Sequence, residues 1–380
     1  MFYASKKYVL YVLTGIFLLM MTTIAHAEIT GQCSNCHTMH NSQSGEKMTT
    51  FTDYTLTSPG NAQPYLLRGT CLGCHAQGTV NKIESLSGND VPQVYHKDPS
   101  GDLAGGNFAY LLGNHGSGIA DDSKGHNIID FGDSDDTFTQ PPGRRHDITN
   151  FAARFTCAGS GGCHGKRIGL GTGLRSLDGA HHGNTGNKLD TANDVFDSYR
   201  FLYKIKGLEN NGQNNISSKW QNLNAVNHNE YFGDSIPMNY IPTGCGICHE
   251  GGTTVRPSNN TMSGHCATCH GYFHLLDGAG RSGVGDDETS PFTRHPTDVI
   301  LPGSGEYAAY INYSTLAPVA RQTPVPDNMS ASVGAGDVVM CLSCHGAHAT
   351  DYYKILRWDY KSTMLATAIS GCNICHTSRN

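Results

Sequence analysis

The chain has 380 residues, among them 14 Cys, 20 His and 46 Gly, and a formal net charge of −6. Charged residues make up only 15%, which excludes a disordered polyelectrolyte, and the acidic balance argues against nucleic acid as a partner. Because so much of the small-residue content is Gly, something besides aliphatic side chains is expected to fill the interior.

Residues 1–27 read as a signal peptide. Lys6 and Lys7 precede an uncharged run, YVLYVLTGIFLLMMTTIA, and Ala25-His26-Ala27 fits a small-x-small cleavage site. An uncleaved membrane anchor is the alternative, since the run is near spanning length. Loss of the two lysines takes the net charge to −8. Export places the remaining chain, residues 28–380, in an oxidising compartment, where cysteine-rich sequences usually form disulfides.

The cysteine spacing contradicts that default. Six pairs read C-x-x-C and each is followed at once by His: Cys33-Cys36-His37, Cys71-Cys74-His75, Cys245-Cys248-His249, Cys266-Cys269-His270, Cys341-Cys344-His345 and Cys372-Cys375-His376. A seventh pair is wider, Cys157 to Cys163, and is followed by His164. Seven successive hits on His by chance is on the order of one in 10⁹, so neither disulfides nor zinc half-sites account for the pattern. C-x-x-C-H is the c-type haem attachment signature, with two thiols for the vinyl groups and an adjacent His for the iron. Seven covalently attached haems c are therefore expected. In the wide motif, Gly159, Gly161 and Gly162 are expected to loop out the extra residues, because Gly accepts positive φ without strain.

Seven irons need seven further ligands, and the remaining His supply is sufficient. The favoured distal candidates are His40, His126, His146, His181, His182, His228, His274, His295 and His348. His40 and His348 each follow a motif His by three, so each is expected to reach a neighbouring haem. His96, His115 and His265 rank lower, the last because it abuts Cys266. Met39, Met238 and Met340 lie near motifs, but the His supply makes Met ligation unnecessary.

The motifs fall into modules at 33–75, 157–164, 245–270 and 341–376, the first and last sharing the pattern C-x-x-C-H-x-x-H followed by C-x-x-C-H. Motifs one and two, four and five, and six and seven form close pairs; the third stands alone. The expected fold is mostly loops and short helices around seven haems, with little β structure and haem faces as the core. Residues 101–145 read as loop. Residues 65–70 are expected to lead helically into the second motif, 193–206 to form a short helix or strand, and 351–370 to contain a helix.

The strings CSNCHTMHNSQ (33–43), TCAGSGGCHG (156–165), GAHHGNTG (179–186), HNEYFG (228–233), RHPTD (294–298) and CLSCHGAH (341–348) resemble those of multihaem c-type cytochromes exported by metal-reducing bacteria such as Geobacter. The resemblance covers most of the chain after residue 27. It implies bis-His haems forming a continuous electron path, located in the periplasm, at the outer membrane or outside the cell. It also supports the wide motif as a haem site. Implied partners are other c-type cytochromes, an outer-membrane conduit and extracellular acceptors such as metal oxides. Some relatives polymerise into haem-lined filaments, so self-assembly is left open. The competing function is a multihaem oxidoreductase of the nitrite or hydroxylamine type, which keeps one iron position open.

Overall fold

The structure is a computed structural model, and it describes residues 32–48, 50–52, 55–57, 62–77, 80–86, 89–132, 141–142, 152–167, 173–177, 195, 198–208, 224–234, 260–270, 295, 297–323 and 330–378. The signal segment, the fourth motif (Cys245, Cys248, His249) and the candidates His146, His181, His182 and His274 lie outside these residues.

Short elements dominate, as expected from a chain punctuated by Gly and Asn. The α-helices are α1 (Cys71–His75), α2 (Met262–Ala267), α3 (Leu365–Ala368) and α4 (Cys372–Cys375). None exceeds six residues. Helices this short do not persist alone in water, so packing must hold them. Three of them contain motif cysteines, and single 3₁₀ turns at Cys33–Asn35 and Cys341–Ser343 carry two more motifs. The lead at 65–70 is a run of bends rather than a helix, and a 3₁₀ turn at Tyr199–Phe201 lies within the 193–206 segment. The helix expected in 351–370 is present as α3.

Strands β1 (Ser42–Gln43) to β6 (Asn89–Pro92) form three antiparallel hairpins: β1 with β2 (Glu46–Lys47), β3 (Thr50–Thr52) with β4 (Thr55–Thr57), and β5 (Ile83–Leu86) with β6. The C-terminal half holds more β structure than the sequence suggested. Strands β7 (Gly207–Leu208), β8 (Glu230–Phe232), β9 (Val299–Ile300), β10 (Ala320–Arg321) and β11 (Val338–Val339) make a five-stranded sheet in the order β7-β8-β10-β11-β9. The β8–β10 pair is parallel and the others antiparallel. Pieces of two or three residues are too short to show a period of two in the sequence.

Ordinary apolar packing is divided into small clusters. One contains Leu72, Tyr95, Phe108, Leu111, Ile128 and Phe131. A second packs Tyr199, Ile205, Tyr231, Met262, Met340 and Leu342, and a third packs Leu301, Tyr310, Tyr313, Val319, Val333 and Val339. Residues 101–132 are largely loop as read, but Phe108, Leu111 and Ile128 make that loop part of the first cluster. Motif residues border these clusters: Cys157 lies against the first, and Ile374 and Cys375 against the third. Among the described residues no helix is long and apolar enough to cross a membrane.

Candidate haem-binding sites

Among the described regular motifs, those at Cys33, Cys266 and Cys341 close on themselves in the same way. The backbone N–H groups of Cys36 and His37 both donate to the Cys33 carbonyl, at 3.2 and 2.8 Å. Cys269 and His270 do the same to Cys266 (3.1 and 2.9 Å), and Cys344 and His345 to Cys341 (3.2 and 3.1 Å). The wide motif reproduces this closure: Cys163 and His164 donate to the Cys157 carbonyl at 3.2 and 3.0 Å. Its surplus residues are looped out, as the glycines predicted. Gly159 has φ +90°, a left-handed conformation suited to Gly. A Cβ on Gly161 would run into the Arg154 carbonyl, and one on Gly162 into the backbone at Thr156 and Ala158. Asp130 pins the entry, accepting from the Thr156 hydroxyl at 2.6 Å and the Cys157 N–H at 3.2 Å.

Among the described residues no cysteine forms a disulfide. Burial pushes Cys74 up to about 11, Cys163 to about 11 and Cys344 to about 12, so these thiols stay protonated at neutral pH. Thiols of different motifs also meet. The Cys157 thiol lies within hydrogen-bond reach of the Cys71 thiol, and that of Cys266 within reach of Cys341. Weaker electrostatic influence links Cys74 with Cys36, Cys163 with Cys269 and Cys344 with Cys375. The described motifs thus run in one line: first, second, third, fifth, sixth, seventh. The third motif, isolated in sequence, bridges the second and the fifth.

The imidazoles share a second pattern. A ligand nitrogen needs a free lone pair at Nε2, and a hydrogen bond from Nδ1–H to an acceptor secures that tautomer. Nδ1 lies on a backbone carbonyl in His37 (Leu66, 3.1 Å), His75 (Pro92, 2.8 Å), His164 (Arg200, 2.9 Å), His270 (Pro142, 2.7 Å) and His345 (Lys354, 2.9 Å). The candidates His40 (Gln63, 2.9 Å) and His126 (Ala347, 2.7 Å) follow the same rule. The sixth described motif histidine, His376, instead has Nδ1 3.1 Å from a Glu306 carboxylate oxygen. Burial holds His126 down to about 4 and His348 down to about 3, so both rings are neutral, as a ligand must be.

Distances then select pairs. An imidazole nitrogen sits about 2 Å from a bound metal and about 1.1 Å from its ring centre, so two rings on opposite sides of one iron have centres roughly 6.3 Å apart. His164 and His348 are 6.3 Å apart, His126 and His270 6.1 Å, and His295 and His376 6.1 Å. Each pair joins a motif histidine to a favoured candidate far away in sequence. His126 and His348 sit on paired backbone, with the His126 N–H on the His348 carbonyl at 2.9 Å, yet face different motif histidines. His348 faces the third motif's His164.

The structure separates the other described candidates from this pattern. His228, favoured by the sequence, is fully buried, but its Nε2 bonds Glu230 at 3.0 Å and its ring stacks on Tyr313 at 3.5 Å. One ring nitrogen is thus taken by Glu230, while the other, Nδ1, is buried without a hydrogen-bond partner. Glu230 also accepts from Arg321 Nε at 3.1 Å and the Ser330 N–H at 2.9 Å, and Arg321 pairs with Asp337. No signal in the sequence tied His228 to Arg321. His96 stands 6.5 Å from His115, but neither belongs to a motif. The Asp98 N–H donates to His96 Nδ1 at 3.2 Å, which puts the proton on Nε2 and leaves no lone pair there. His265 Nε2 faces the Arg167 guanidinium at 3.4 Å.

The described donor set fits haem c: thiol pairs closed on one turn, each followed by an imidazole. No family model matches the chain. It is 26% identical over 398 residues to the C-type cytochrome OmcS of Geobacter sulfurreducens, an alignment covering 96% of this chain and 88% of that protein. Two solved structures are also similar at 18% identity, each covering 93% of this chain and 100% of the other. They are the outer membrane cytochrome S filament of Geobacter sulfurreducens (TM-score 0.43) and the OmcS nanowires from the same organism (TM-score 0.41).

Proposed function

We propose that this relative of a c-type cytochrome is an exported electron carrier, with residues 28–380 holding seven haems c in one continuous line. Bound haem supplies a one-electron ferric–ferrous couple. The chain's own residues attach, orient and insulate it. The seven cysteine pairs are the attachment points, and His37, His75, His164, His249, His270, His345 and His376 the first axial ligands. His348 serves the haem of Cys157 and Cys163, His126 that of Cys266 and Cys269, and His295 that of Cys372 and Cys375. His40, His146, His181, His182 and His274 supply the remaining irons, and His228 leaves the ligand set. Backbone carbonyls on Nδ1 fix ring orientation and keep the donor nitrogen basic.

The observation that carries this reading is the facing of His164 and His348 at 6.3 Å, because it gives even the irregular motif a second ligand. Two strong ligands leave no iron position for a substrate, which favours electron transfer over nitrite or hydroxylamine chemistry. The relative in Geobacter sulfurreducens supports delivery to extracellular acceptors, and the filaments of that organism's cytochrome S make self-assembly part of the proposal. Other c-type cytochromes or an outer-membrane conduit are the proposed donors, and the outer-membrane surface or the exterior the proposed location, with the periplasm the other exported site. Coulometric titration of the purified protein tests the reading. Uptake and return of seven electrons per chain, with reoxidation by a soluble ferric chelate, is expected; a chain that takes up none overturns it.

A further inference from the structure

Resting on the haem assignment above, we propose that Glu306 is a positioning residue that, through His376, makes the haem of Cys372 and Cys375 the low-potential end of the line. Five of the six described motif histidines set Nδ1 against a neutral backbone carbonyl. His376 alone among them faces a carboxylate, with Glu306 Oε2 3.1 Å from Nδ1. The contact is a close charge contact off the hydrogen-bond line, so the carboxylate acts on the ring through its charge.

The surroundings hold the two groups together independently of that contact. Glu306 sits in the 3₁₀ turn Gly305–Tyr307. Its backbone carbonyl accepts from the Thr377 N–H at 2.8 Å and the Thr377 hydroxyl at 2.6 Å, so the residue after His376 is fastened to the residue bearing the carboxylate. The Tyr307 ring lies 5.1 Å from the His376 ring. Both side chains are mostly shielded, 28% exposed for His376 and 19% for Glu306, so water does not cancel the charge. A carboxylate pulls on the Nδ1 proton more strongly than a carbonyl does. The imidazole then donates more strongly at Nε2, which favours the ferric state and lowers the potential. Electrons on the line would consequently run away from the seventh motif, which becomes the entry end.

The test compares full-length holoprotein with Glu306→Gln and Glu306→Asp, using redox titration followed by electron paramagnetic resonance. Gln keeps the backbone clamp and a hydrogen-bond acceptor while removing the charge. In Glu306→Gln one low-spin signal is expected to shift its g-values and its midpoint upward, with the others fixed; Glu306→Asp returns both toward wild type. Unchanged midpoints and g-values in Glu306→Gln at full haem content overturn the proposal. So does loss of one haem in both variants, which makes the carboxylate a folding element. The wild-type low-spin count in the same experiment tests the haem assignment separately.

Discussion

His164 and His348 lie 184 positions apart in sequence, yet their ring centres are 6.3 Å apart. The His348 N–H is held by the Gly105 carbonyl at 2.6 Å, and its ring stacks on Phe108 at 5.0 Å. A Cβ on Gly105 would press on the ring at 3.0 Å, so the glycine makes room for the imidazole.

Replacing His348 by Ala is expected to turn one haem from low spin to high spin without changing haem content. Added imidazole is expected to restore the low-spin signal. His115→Ala, at a ring that faces no described motif histidine, is expected to leave the spin state unchanged. Electron paramagnetic resonance of the oxidised proteins checks all three.

The wide motif depends on its glycines. Gly161→Ala pushes a methyl into the Arg154 carbonyl, and Gly162→Ala pushes one into the Thr156–Ala158 backbone. Overpacking of this kind costs about 1–3 kcal/mol and moves the backbone. Here the backbone sets the spacing of the Cys157 and Cys163 thiols, so each variant is expected to lose one haem per chain. Intact mass of the purified protein counts the haems directly.

The proposed attachment motifs are legible in the sequence, because covalent haem attachment demands fixed spacing. The wide one was legible through its glycines. The ligand pairs were only half legible. His126, His295 and His348 could be named as candidates, but which motif each faces depends on contacts across 144, 81 and 184 positions, and spacing holds no record of them. The surroundings of His228 are hidden from the sequence for a related reason. Its occupied nitrogen comes from Glu230, two residues away, and from the ion pair of Glu230 with Arg321, which fixes the carboxylate beside the ring. The five-stranded sheet was hidden because its strands are too short and too scattered to show periodicity.

That buried ion pair makes its own prediction. Arg321 bonds Glu230, Asp337 and the carbonyls of Ser330 and Ser332, the last two at 3.0 and 2.8 Å. Arg321→Met leaves the buried Glu230 and the partly buried Asp337 without their cation, and removal of one partner of a buried pair typically costs about 3–5 kcal/mol. Denaturant unfolding of the holoprotein is expected to show a loss of that order. Arg175→Met, at an exposed position, is expected to show almost none.

His96 gives the fold a pH dependence. Burial lowers it from 6.5 to about 4, so it stays neutral in the fold while the unfolded chain takes up a proton below pH 6.5. Stability is therefore expected to fall as pH drops from about 6.5 towards 4, by at most about 3 kcal/mol. Asp102, 3.7 Å away and raised by burial, works in the opposite direction at the acid end and flattens the slope there. His96→Gln is expected to reduce the slope between pH 5 and 6.5, measured by denaturant midpoints, with the rest coming from the likewise buried and lowered His265.

Quantitative electron paramagnetic resonance of the oxidised wild-type protein, with haem content measured on the same sample, tests the central claim most directly. Seven low-spin ferric haems per chain are predicted, one of them on Cys157 and Cys163. A stoichiometric high-spin signal, or only six haems, would contradict it.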